Sequence, residues 1–182
     1  MEFGEYFELK VVYLIALFEI GAYHKYLSKV EELIAATILH NIKYHKGEDI
    51  YQKLLFKKAA AYYHLSQLEK AEHILRELIN MNPYDEVVIL LLKKCLQKKQ
   101  PAYVRHTRAL SILAFLLSAV IISVEVLLIR NFFQDYTDSF ELCRNIVFIV
   151  GLLFLLSGDL FHYVQVNTKV NKFVNAARHR RS

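Results

Sequence analysis

Three ionisable side chains, Glu125, Asp159 and His162, stand inside stretches that are otherwise almost free of charge. Glu125 belongs to ALSILAFLLSAVIISVEVLLI, residues 109–129, and the other two belong to IVFIVGLLFLLSGDLFHYVQV, residues 146–166, each 21 residues long. A charge in such surroundings is costly unless it faces protein or water, which makes these side chains the sharpest chemical signal in the chain. Asp159 and His162 are three residues apart, hence neighbours on one helix face, where they can hydrogen-bond to one another. Two readings stand. In one, Asp159 and His162 satisfy each other at a helix–helix contact while Glu125 reaches toward the outer headgroups. In the other, several copies surround an axis and these residues line a pore or proton path. Glu125 and Asp159 do not form one carboxylate pair, because in an end-matched antiparallel arrangement their depths differ by roughly 15 Å at ~1.5 Å per residue.

The elements that must hold these groups follow from length. A helix of 21 residues covers roughly 30 Å, the thickness of a bilayer's hydrocarbon core. A chain of 182 residues has no other mass with which to bury two apolar cylinders on all sides. The expectation is a two-helix transmembrane hairpin, residues 109–129 and 146–166, joined by an extracytoplasmic loop over 130–145. Ser111, Ser118 and Glu125 recur at seven-residue intervals, and Gly151, Gly158 and Gln165 repeat the interval on the second stretch. Small and polar seams of this kind let helices approach closely, so Ser111, Ser118, Gly151 and Gly158 are read as the helix-packing seam.

Charge sets the orientation. Residues 88–108 carry Lys93, Lys94, Lys98, Lys99, Arg105 and Arg108 with no acid, and residues 167–182 carry Lys169, Lys172, Arg178, Arg180 and Arg181 with no acid. Short basic flanks stay on the cytoplasmic side. Both termini are therefore expected in the cytoplasm of an integral plasma- or inner-membrane protein, with 101–108 as a basic linker and 167–182 as a basic tail. The formal net charge of +5 is mostly these two collars, which suit anionic headgroups; nucleic acid is the weaker partner reading, since the basic residues stand where topology alone requires them. A hydrophobic content of 55% excludes a disordered chain, and two cysteines are too few for a disulfide-stapled module. Cys95 and Cys143 are expected on opposite sides of the membrane, which forbids a disulfide between them. The apolar run at 11–18 follows Glu2, Glu5 and Glu8, unlike a signal peptide, and reads as a buried helix.

Residues 1–100 form the cytoplasmic part, near neutral with 14 Lys and Arg against 13 Asp and Glu. Their composition predicts helices over about 6–20, 26–44, 50–65, 68–81 and 85–99, with Gly21, the segment 45–49 and Asn82-Pro83 as breaks. In the second of these, Val30, Leu33, Ile34, Ala36, Ile38 and Leu39 recur at helical spacing.

The third and fourth helices carry Leu55, Ala59, Tyr62, Ser66, Leu68, Ala71, Leu75, Leu78, Ile79 and Pro83 at the spacing of a tetratricopeptide repeat. The segment 50–84 resembles that family, departing from it where Leu55 replaces Trp, Ser66 replaces Gly and Leu78 replaces the second Ala. Residues 6–44 look like a degenerate copy. The resemblance implies an all-α chain with a short helical-repeat domain, stacked helix pairs capped by the fifth helix, that binds a protein partner in a groove. Repeat arrays generally need about three units for stability, so a second copy, a partner or the membrane surface is expected to complete this one. Tyr44, Tyr51 and Tyr63 are read as partner-binding residues, and Tyr62 is read as repeat core.

No catalytic chemistry is legible. There is no Gly-rich phosphate loop, GxSxG, CxxC or HExxH, and the eight histidines are scattered without metal-ligand spacing. No catalytic residue, metal or cofactor is expected. The sequence points to a non-enzymatic membrane-bound adaptor, with an oligomeric channel subunit, such as a bacterial defence effector, as the competing class.

Overall fold

The computed structural model describes residues 3–45, 47–129 and 137–181. Apart from two two-residue strands, its regular elements are helices. The chain divides into two compact units, residues 1–99 with 167–182 and residues 100–166.

In the first unit, α1 (Phe3–Glu19), α2 (Tyr23–Leu39), α3 (Ile50–His64), α4 (Leu68–Met81) and α5 (Glu86–Lys98) each pack on the next in sequence. Leu14, Tyr26, Leu33, Ile50, Leu54, Leu75, Ile79 and Leu92 are among its largest fully buried side chains. Tyr26 is polar at its tip, and its hydroxyl donates to the Leu54 carbonyl at 3.2 Å, which answers the cost of burying a phenol.

The first three helices stop by one device. After α1, Gly21 (φ +77°) donates to the Phe18 carbonyl and Ala22 to the Leu17 carbonyl. After α2, Asn41 (φ 49°) and Ile42 repeat the pattern on Ile38 and Thr37; after α3, Ser66 (φ 58°) and Gln67 repeat it on Tyr63 and Tyr62. This left-handed cap satisfies carbonyls that the helix end leaves bare. It also corrects the expected reach of the second helix to residue 44. Asn41 ends α2 early, leaves Ile38 and Leu39 exposed, and frees Tyr44–His45 (β1) to pair antiparallel with Glu48–Asp49 (β2). Asp49 then caps α3 by accepting from the Gln52 amide at 3.0 Å, and Asp85 caps α5 by accepting from Val87 at 3.0 Å.

The second unit contains α6 (Ala102–Val124), a π-helical turn over Glu125–Ile129, and most of α7 (Thr137–His179). Both helices are long and apolar enough to cross a membrane. Their outward side chains are large and apolar, Leu113 at 61% exposed and Leu153 at 60% being typical. The expected loop over 130–145 is partly replaced by helix, because α7 begins at Thr137; residues 130–136 lie outside the described residues.

The expected tail is also helix. α7 continues to His179, and within the first unit its Val170, Val174 and Ala177 are buried. Their spacing of four and three makes one apolar face. Around it the Arg76 guanidinium lies 5.0 Å from the Phe173 ring centre, Arg178 lies 5.2 Å from that of Tyr84, and Arg178 Nε donates to the Pro83 carbonyl at 3.2 Å.

Candidate functional site

The polar side chains of the second unit meet along α6 and α7 in descending order. Tyr103 Oη donates to Gln165 Oε1 at 3.1 Å and lies 3.4 Å from His162 Nδ1; Arg108 Nη2 donates to Asp159 Oδ1 at 2.8 Å; Phe115 stacks tilted on Phe148 at 5.4 Å; Arg144 Nη1 donates to Glu125 Oε2 at 2.9 Å. As one residue number rises its partner's falls, so the two helices run antiparallel. The register sets Arg108 level with Asp159, about four residues per helix away from an end-matched arrangement.

This register changes the reading of all three ionisable groups. Asp159 and His162 each reach a partner on α6, Arg108 and Tyr103 respectively. Glu125 points inward, its side chain 1% exposed, and not out toward headgroups. Its carboxylate and the Arg144 guanidinium form a charge-assisted hydrogen bond, which is stronger than a neutral one. The π turn that starts at Glu125 widens the helix there; such turns recur where a backbone is bent to aim a particular side chain. Arg108 and Asp159 stay 43% and 48% exposed. Arg108 and Glu125 are 17 residues apart, about 26 Å along the helix, slightly less than the ~30 Å of a hydrocarbon core.

Small residues let the helices come this close. Ser111 and Ser118 are buried, and Gly151 and Gly158 lie in the same contact. A Cβ at Gly158 would fall on Thr107 Oγ1, and one at Gly151 would sit 3.1 Å from the Ala114 Cβ. The hydroxyls are satisfied locally. Ser111 donates to the Arg108 carbonyl at 2.8 Å and Thr107 to the Val104 carbonyl at 3.0 Å.

The tyrosines read as partner contacts are spread out. Tyr44 is exposed on β1 with Lys43 5.6 Å from its ring, Tyr51 lies in the first turn of α3, and Tyr63 lies in the last, with Lys98 4.9 Å from its ring. Twelve residues of helix separate the last two by about 18 Å. Tyr62 is half-buried, with Lys70 5.4 Å from its ring, so it is not fully in the core. Among the described residues no group of three or more His, Cys, Asp or Glu is placed to hold a metal. Cys95 and Cys143 are both free thiols. Cys95 Sγ donates to the Leu68 carbonyl at 3.3 Å, and burial, with Glu72 nearby, pushes the thiol up to about 11; that is the behaviour of a structural cysteine and not of a nucleophile.

Sequence reasoning treated Arg108 and Arg178 as markers of topology, gave Arg144 no role, and missed all three as partners. The signal was the carboxylates themselves. A buried Glu or Asp with no cation on its own helix face calls for one on a neighbouring helix, and Arg144 stands level with Glu125 once the helices are staggered. No protein-family model matches this chain, and neither a curated protein nor a solved structure matches it.

Proposed function

We propose that this chain is a membrane-anchored, non-enzymatic adaptor, in which α6 and α7 form a transmembrane hairpin with both termini cytoplasmic and the helical unit recruits a protein partner. One observation carries the reading. The carboxylates of Glu125 and Asp159 are each neutralised by an arginine of the same chain while the outward faces are apolar, which suits an anchor whose polar groups are used up in holding two helices together. The basic flanks support the orientation. For the recruiting unit, the tetratricopeptide resemblance draws support from Ala59 and Ala71, both fully buried, and from Ser66, whose φ of 58° stands where that family has Gly.

A channel subunit is the second reading, favoured by the half-exposed Arg108–Asp159 pair, which a ring of copies would cover.

Native cysteines test the anchor. In intact cells expressing the full chain, a membrane-impermeant maleimide should label Cys143, which is exposed, and should leave Cys95, which is buried, unlabelled. Labelling of Cys143 only after lysis overturns the topology. Ion flux through purified protein in liposomes, lost in Asp159→Leu, overturns the adaptor in favour of the channel.

A further inference from the structure

The face of α1 that points away from the first unit is built like an interface. Phe7, Val11, Leu14 and Leu17 face inward and are buried, whereas Leu9 is 59% and Ile20 75% exposed. Tyr6, Leu9, Tyr13 and Ala16 of α1, and Ile20 one residue past its end, are all exposed and follow one another at intervals of three, four, three and four. That is the spacing with which one helix seats against another in a two-stranded coil. The end unit of a helical stack ordinarily presents a polar outer face, and α1 does the opposite.

We infer that α1 is a self-association surface, on which two copies of this chain pair their α1 helices in parallel and in register through this stripe. Charge selects both the occupant and the direction. Glu5 and Glu19 border one side of the stripe, and Lys10 borders the other. In a parallel, in-register pair, the residue on the first border meets the residue five positions on in the second chain, so each Glu5 faces the other copy's Lys10. An antiparallel pair sets like borders together, Glu5 against Glu19. Lys10 is prepared for the contact. Its ammonium donates to Glu32 at 2.5 Å and to the Tyr6 hydroxyl at 3.2 Å, which orients it and leaves the third of its donors for the incoming carboxylate. An anionic lipid surface fits poorly, because Glu5, Glu8 and Glu19 are all exposed on this helix.

The contact is small. Five apolar side chains per copy fall short of the ~800 Å² per partner of a standard interface, so pairing gains from confinement of both copies to one bilayer; that gain rests on the proposed anchor, while the pairing geometry does not.

Oxidative cross-linking of the purified full chain, with Cys143→Ser and reconstituted in neutral liposomes, tests the inference. Leu9→Cys should form a disulfide-linked dimer, and Glu8→Cys, exposed but off the stripe, should form at least tenfold less. Tyr6→Cys mixed with Ile20→Cys should give no heterodimer above the Glu8→Cys background. Adding Glu5→Lys should lower Leu9→Cys dimer about tenfold, and adding Glu8→Lys should not, with helicity checked by circular dichroism in each case. Equal cross-linking at Leu9 and Glu8, a dominant Tyr6–Ile20 product, or indifference to Glu5→Lys overturns the inference. Protection of Leu9→Cys from maleimide by anionic vesicles, without a dimer, overturns it in favour of lipid. A chain that cross-links at Leu9 in micelles but does not float with vesicles overturns the anchor and leaves the pairing standing.

Discussion

The two units of this chain are built as opposites. The first has an apolar interior around Leu14, Leu33 and Leu75 and keeps its charges outside, joined in ion pairs such as Lys57 with Glu19 and Lys58 with Glu31. The second buries Ser111, Ser118 and Glu125 and turns Leu113, Leu116 and Leu153 outward. Which side chains go inside depends on the solvent. In water, removing apolar area is the driving force; beside lipid tails that force vanishes between helices, and close packing and polar contacts hold them instead. A single chain that follows both rules is what the proposed membrane anchor requires.

The contrast can be broken most severely at Arg144. Arg144→Leu leaves Glu125 buried without its cation and should cost about 3–5 kcal/mol, whereas Glu125→Leu with Arg144→Leu should be close to neutral; unfolding of the full chain in micelles measures both. The corresponding test in the first unit is Leu75→Ala, which should cost about 2–5 kcal/mol by cavity formation, read by chemical denaturation. If Leu113→Ala costs as much, the outward face of α6 is packed and the contrast fails. Gly158→Ala should cost about 1–3 kcal/mol because the new methyl meets Thr107 Oγ1, and Thr107→Ala should recover part of the loss.

The smallest effect concerns pH. Burial holds the folded Cys95 thiol at about 11 against an ordinary value of 9.0, so between those values the folded chain keeps a proton that the unfolded chain has released. Stability from this group is present below pH ~9 and declines as pH rises toward ~11. Cys95→Ala should flatten that decline in a denaturation series, and an unchanged slope sinks the assignment.

Much of the helix pattern is legible in the sequence. α3, α4 and α5 lie within a residue of their expected bounds, since hydrophobic spacing, Asp at the start and Pro or a turn after the end act locally. The end of α2 is not legible from spacing, because Ile38 and Leu39 continue the apolar rhythm onto a face that nothing covers; Asn41 was the local stop. α7 is misjudged for the opposite reason. Lys169 and Lys172 read as a collar, yet Val170, Val174 and Ala177 mark a buried face between them. At the site, seven-residue spacing selects the line of Ser111, Ser118 and Glu125, but the partners of Glu125 and Asp159 depend on a stagger set by small residues on both helices, which no single helix reveals.

If α6 and α7 cross a bilayer as proposed, the pairing of Glu125 with Arg144 also bears on how the chain is made. An unpaired ion costs about 2.5–3.5 kcal/mol at the centre of a membrane helix and less toward its ends, where Glu125 and Arg144 stand. The carboxylate leaves the ribosome 19 residues before its guanidinium. Insertion of α6 and α7 as one unit, after Arg144 has been translated, avoids that barrier.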